Sequence, residues 1–153
     1  MSPAPVAKPK FQTRDLSPIR RVSIVLPVYN ERATIAEVIE SVLRAPLTSS
    51  QTDLEKELVI VDDCSNDGTR EALPAIVESA RAAHPETMIQ WLQHEVNRGK
   101  GAALRTGFAA ATGDAVLVQD ADFEYDPRDY PTLMDSMLDG WADVVYGNRF
   151  HGG

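Results

Sequence analysis

Short apolar runs alternate along this chain with segments whose apolar residues recur every three or four positions, and few folds tolerate that pattern. Leu58-Val59-Ile60-Val61 has no polar side at all. A strand of that kind has to be covered on both faces, as strands are in parallel sheets flanked by helices. Val22-Ser23-Ile24-Val25-Leu26 and Ala115-Val116-Leu117-Val118 are runs of the same kind. Met88 to Leu92 is a weaker one, and Val144-Val145-Tyr146 is expected to be a fifth strand, ended by Gly147. Pro27 is expected to stop the first strand, since proline cannot donate to a ladder. Between the runs, Ile35, Val38, Ile39, Val42 and Leu43 have helical spacing, and Thr34 with Glu37 three residues on has the form of a capping box. Leu73, Ile76, Val77 and Ala80 predict a second helix, with Pro74 awkward for its start. Ala102 to Ala111 and Leu133 to Leu138 predict two more. The fold class is therefore α/β: a mostly parallel sheet with helices on both faces.

At 153 residues the chain suits one domain with a real core. Residues 1–20 hold Pro3, Pro5, Pro9 and Pro18 and few large apolar residues, which reads as a disordered basic tail. Residues 1–21 carry five basic side chains against Asp15, a net of +4, so a whole-chain charge of −8 leaves −12 on the remainder. So acidic a body argues against a nucleic-acid partner, and no basic face with interleaved aromatics is present. An anionic ligand would need a divalent cation, backbone N–H groups or a few placed Arg and Lys side chains. Cys64 is the sole cysteine, which excludes an intrachain disulfide and fits a reducing compartment. No apolar run approaches the roughly 18 residues of a membrane span, and the N-terminus lacks the apolar stretch of a signal peptide. The expected location is the cytoplasm, with a membrane surface open to the basic tail.

Parallel α/β sheets bind ligands beyond the carboxyl ends of their strands, so the residues at those ends carry the functional reading. They are Pro27-Val28-Tyr29-Asn30-Glu31, Asp62-Asp63 with the turn to Thr69, Asn97-Arg98-Gly99-Lys100-Gly101, Asp120-Ala121-Asp122-Phe123-Glu124, and Asn148-Arg149. Asp120 and Asp122, two positions apart, project to one side and can share a cation. Oxygen ligands suit Mg²⁺ or Mn²⁺ bridging carboxylates and substrate phosphates, with Glu124 a third ligand or an acceptor behind the ligands. The competing reading is that these acids cap a helix. Asp62 or Asp63 is placed to face a ribose, while Asn66-Asp67-Gly68 turns the chain. The Asn97–Gly101 loop offers N–H groups and Lys100 to phosphate, or is a structural glycine loop. Tyr29 lies against a base or fills a turn. His84, His94 and His151 lack ligand spacing and are expected at the surface. Trp91 and Trp141 are expected in the core or facing a partner.

Together the blocks Ser23 to Glu31, Val59 to Thr69, Asn97 to Gly107 and Asp120 to Pro127 resemble family 2 glycosyltransferases of the Rossmann-like GT-A fold. With Val145 to Phe150, they are similar to polyprenyl- and dolichyl-phosphate hexose synthases; Phe123 and Asn148 replace the commoner Leu and Ser. That resemblance implies that residues 21–153 are the nucleotide-sugar-binding portion of a GT-A domain, incomplete at its C-terminus. It implies that Pro27, Tyr29, Asn30 and Glu31 line the nucleotide and that Asp62 or Asp63 holds base or ribose. Asp120, Asp122 and Glu124 would hold Mg²⁺ or Mn²⁺ on the diphosphate, and Arg149 would meet phosphate. The implied donor is a UDP- or GDP-hexose, the implied acceptor a polyprenyl phosphate, and the implied reaction a single inverting displacement. A phosphate monoester, with a second pKa of about 6, is already an anionic nucleophile and needs no strong base. A family member using a sugar hydroxyl acceptor, or a non-catalytic nucleotide-sugar-binding module, are the alternatives.

Overall fold

A computed structural model describes residues 18–50 and 53–147. Residues 1–17 of the tail, His151 and the Asn148-Arg149 strand end expected from the sequence lie outside the described residues, whereas Ile19 packs on the core and Arg20 N donates to Asp114 Oδ2 at 2.8 Å, so the ordered body begins before residue 21. Four strands form a parallel sheet among those described: β1 (Arg21–Val28), β2 (Glu55–Asp62), β3 (Met88–Gln93) and β4 (Ala115–Val118), in spatial order β3-β2-β1-β4. The helices are α1 (Ile35–Arg44), α2 (Thr69–Ala83), α3 (Lys100–Ala110) and α4 (Tyr130–Leu138), the last preceded by a single 3₁₀ turn over Pro127–Asp129.

Chain order explains which helix covers which face. Strands β1, β2 and β3 step outward in one direction, and β4 returns to the far side of β1. Right-handed crossovers put α1 and α2 on one face and, once the direction reverses, α3 on the other. The core divides accordingly. Ile24, Leu26, Leu58 and Ile60 join the α1 and α2 side chains Ile35, Ile39, Leu73 and Val77, with Met134 of α4. Val25, Val59 and Val61 meet Ala103 of α3 on the opposite face. The two-faced burial expected of the Leu58–Val61 run is what the sheet shows. α3 lies close enough that a Cβ on Gly107 would sit 2.3 Å from Val25 Cγ1.

Three local expectations are corrected. Pro27 lies inside β1 rather than ending it. Residues 21 and 25 turn their carbonyls toward β4, accepting from Asp114 N and Gln119 N. Pro27, in phase with them, faces that side beyond the last β4 pairing at Val25–Val118, so no ladder bond is lost. The Thr34–Glu37 capping box does not form, because the Thr34 hydroxyl turns toward Glu31 Oε2 at 2.8 Å and Ala121 O at 3.2 Å. Residues Val144 to Tyr146 are not a strand. α4 closes in a Schellman motif, with Trp141 N donating to Ser136 O and Gly140 N to Met137 O at a Gly140 φ of +72°. The chain leaves it into solvent, and Tyr146 is 87% exposed. α2 begins at Thr69, so exposed Pro74 falls in its second turn.

Candidate donor and metal site

The reversal between β1 and β4 opens a crevice at their carboxyl ends, where an α/β sheet binds its ligand. A cleft of about 410 Å³ lies there, lined from β1 by Pro27, from the segment after it by Tyr29 and Glu31, from the segment after β2 by Asp63, from α3 by Lys100, and from the loop after β4 by Asp120 and Asp122. Seven residues singled out by sequence thus meet in one space. Asn30, Asp62 and Glu124 are not on its lining, and Arg149 lies outside the described residues.

The β1 and β2 loops are fastened to each other. Asn30, at φ +56°, has its N–H on Ser65 Oγ (3.0 Å) and its side-chain oxygen on Asn66 N (2.8 Å). Glu31 N donates to Thr69 Oγ1 (2.9 Å) and Arg32 N to Asp67 Oδ2 (3.1 Å). Asn30 therefore shapes the cleft through its backbone neighbours, and Tyr29, half exposed at 44%, presents its ring on the rim. Asp62 is buried, with Oδ1 accepting from Ser65 N at 3.2 Å and Oδ2 without a partner.

Asp63 acts as a fastener for the third strand end. Its Oδ1 accepts from Arg98 N (2.9 Å) and lies 2.6 Å from His94 Nδ1; its Oδ2 accepts from Gly99 N (2.7 Å). Burial pushes this carboxyl up, but the bonds from Arg98, His94 and Gly99 outweigh it and hold it below the usual aspartate value. Two expectations change here. The Arg98 and Gly99 N–H groups are already bonded to Asp63; of the Asn97–Gly101 loop, Asn97, Gly99 and Lys100 line the cleft, and Lys100 brings the charge. His94 is not a surface residue: it is 7% exposed and links Asp63 to Thr106 Oγ1, 2.8 Å from its Nε2. A histidine one residue past a strand end, on the edge where the other loops gather, was the available signal. His84 is half-buried, its Nε2 3.2 Å from Glu40 Oε2. Trp91 packs against the larger core cluster, whereas Trp141 is exposed.

Asp120, Asp122 and Glu124 each place a carboxylate oxygen within 4.8 Å of the others. They do not cap the helix that follows; Asp126 does that for the 3₁₀ turn, accepting from Arg128 N at 2.9 Å. Oxygen donors at this spacing are a donor set for a hard divalent cation. Asp120 Oδ1 is buried with no hydrogen bond, as an oxygen awaiting such a ligand would be. Lys100 Nζ lies 2.6 Å from it, an ion contact across the cleft. Behind the acids sits a clasp that sequence reasoning missed. Buried Gln119 donates Nε2 to Asp120 O and Tyr125 O, both at 3.0 Å, while its Oε1 accepts from Tyr130 OH at 2.7 Å. Burial raises the Tyr130 phenol far above its ordinary pKa, so it stays a donor. Gln119 in sequence is merely a polar residue after a strand, and nothing marks Tyr130 as its partner.

The model of glycosyl transferase family 2 matches residues 23–153. The undecaprenyl-phosphate 4-deoxy-4-formamido-L-arabinose transferase of Aeromonas hydrophila is 34% identical over 127 residues, 83% of this chain and 36% of that protein. A mannosyltransferase from Pyrobaculum calidifontis, solved with GDP-Man and Mn²⁺, superposes with a TM-score of 0.60 at 31% identity, over 83% of this chain and 34% of its own. Glucosyl-3-phosphoglycerate synthase from Mycobacterium tuberculosis, solved with Mn²⁺, UDP and glucosyl-3-phosphoglycerate, gives 0.53 at 32% identity, over 78% and 40%. The chain thus spans about a third of the length of the relatives it matches.

Proposed function

The chain belongs to glycosyl transferase family 2, and from that premise we propose that it is the donor-binding part of a GT-A enzyme transferring a sugar from a nucleoside diphosphate to a polyprenyl phosphate with inversion. The observation that carries this is the meeting of Tyr29, Lys100, Asp120 and Asp122 in one crevice, with Glu124 completing the acidic cluster beside them. Tyr29 offers a ring to the base. Asp120, Asp122 and Glu124 hold Mg²⁺ or Mn²⁺. A cation held there would supply positive charge to a departing diphosphate. The residues of the chain supply position: Gln119, Tyr130 and Thr34 hold the acidic loop, and Asp63 holds the loop that carries Lys100. Fixing the donor against an acceptor that is already anionic lowers the barrier by orientation rather than by a general base.

The undecaprenyl-phosphate acceptor named for the Aeromonas relative supports the lipid phosphate reading, and the nucleotides and Mn²⁺ named for the two solved structures support the donor reading. The sugar is not carried over, since one relative is named for a modified arabinose and another was solved with GDP-Man. No helix among the described residues is long and apolar enough to cross a membrane; we place the reaction at the cytoplasmic membrane face, where a polyprenyl phosphate presents its headgroup. The test is incubation with UDP- and GDP-sugars, Mn²⁺ and either undecaprenyl phosphate or a free oligosaccharide, with products read by mass spectrometry and anomeric NMR. The expected product is an inverted, lipid-phosphate-linked sugar. Transfer to the oligosaccharide alone would contradict the acceptor assignment, and retained configuration would contradict the single displacement.

A further inference from the structure

We infer that Lys100 is a built-in counterion that occupies Asp120 until a divalent cation displaces it, and that the released ammonium then serves the donor's diphosphate. This rests on the metal site proposed above.

Lys100 is the first residue of α3, directly after Gly99, whose N–H is fastened to Asp63. That anchor brings the lysine stem across the cleft from α3, on one side of β1, to the β4 loop on the other. Its Nζ reaches 2.6 Å from Asp120 Oδ1. The two ends of this contact differ. The Asp120 side chain is 16% exposed and its Oδ1 is fully buried, while Lys100 is 60% exposed on a flexible stem. Among the described residues, the Lys100 ammonium is the polar group recorded against this buried oxygen.

A small hard cation such as Mg²⁺ bonds its oxygen ligands at about 2.0–2.1 Å. Its other ligands would come from Asp122 and Glu124, each with a carboxylate oxygen within 4.8 Å of one on Asp120. An ammonium at 2.6 Å from that oxygen and a dication bonded to it would stand within a few ångströms of each other and repel. One has to leave, and Lys100 is the exposed and mobile partner. Both groups line the same cleft, so the freed ammonium stays where a diphosphate would lie. In the cation-free protein the same contact lowers the repulsion among three neighbouring carboxylates.

Two opposite effects of one substitution follow, which a merely structural lysine would not produce. Calorimetric titration of the full chain with Mn²⁺ alone is expected to show Lys100→Gln binding about fivefold tighter than wild type, the scale of a partly exposed ion pair. Arg98→Gln removes the same charge from an exposed neighbour and is expected to change Mn²⁺ affinity by less than about twofold. At saturating Mn²⁺, GDP or UDP is expected to bind Lys100→Gln about tenfold more weakly, one charge-assisted contact being lost. Asp122→Ala separates the two claims. If it abolishes Mn²⁺ binding while Lys100→Gln gains nothing, or gains no more than Arg98→Gln, the counterion role is overturned and the metal site stands. Undiminished nucleotide affinity in Lys100→Gln overturns the hand-over to phosphate. If Asp122→Ala binds Mn²⁺ as wild type does, the metal site falls and this inference falls with it.

Discussion

Asp63 shows how a single carboxylate on the lining of a cleft can organise the loops around it. Three donors converge on it, and it ties the β2 end, His94 and the Gly99 loop into one rigid wall. Asp63→Ala removes the partner of Arg98 N, the shorter of two bonds from Gly99 N and the Nδ1 partner of the buried His94 imidazole, and is expected to cost about 2 kcal/mol of stability. Urea denaturation checks this; a loss below about 1 kcal/mol would mean the wall does not depend on Asp63. The pair Asp62-Asp63 was legible in the sequence as important, but its division of labour was not. Adjacent residues of a strand point to opposite sides, and which side faces the cleft depends on register, which sequence does not display. Asp120 and Asp122 were legible because spacing and placement after an apolar strand suffice to bring them together.

At the scale of the elements, tolerance is smallest where α3 meets β1 and at the opposite edge of the sheet. Gly107→Ala puts a methyl 2.3 Å from Val25 Cγ1 and is expected to destabilise by about 1–3 kcal/mol through overpacking, visible as a lower urea midpoint with an unchanged slope. Glu57, buried in β2 far from the cleft, ties three other segments to its own: the Ser23 hydroxyl donates to it, as do Gln90 Nε2 (2.7 Å), Thr112 N (2.8 Å) and Thr112 Oγ1 (3.0 Å). Burial raises its pKa, and these donors outweigh burial and bring it below 4.5. A depressed folded-state pKa means the carboxylate contributes stability above its unfolded value and loses it as pH falls through the folded one. The melting temperature is therefore expected to drop below about pH 4.5, and Glu57→Gln to flatten that drop while lowering stability at pH 7. An equally steep acid transition in the variant would show that other carboxylates, such as Asp63 and Asp67, carry it. Nothing in Glu55-Lys56-Glu57 announced a buried acid, because a charged strand start ordinarily faces water. The missing strand at Val144–Tyr146 failed for the opposite reason: three apolar residues satisfy a pattern, but a strand exists only where a neighbour pairs with it.

Across the whole molecule, the direction of chain travel sets function. Stepping outward through β2 and β3 and then back past β1 to β4 creates the crevice, places α3 on the other face, and so brings Lys100 opposite the acidic loop. Alternating apolar runs made the parallel sheet legible, and strand-end chemistry made the site legible. The clasp of Gln119 and Tyr130 and the His94 link were not, because they are contacts between segments 11 or more residues apart. The body's formal charge of −12 opposes the proposed anionic donor, and a divalent cation at the acidic cluster is the strongest local offset the proposal offers it. That claim is tested most directly by calorimetric titration of GDP and UDP into the wild-type chain and into Asp122→Ala, each with Mn²⁺ and with chelator. The account predicts that one nucleotide binds wild type at least about tenfold more tightly with Mn²⁺ than without, and that Asp122→Ala abolishes the difference. Equal binding with and without Mn²⁺ in the wild type would contradict it.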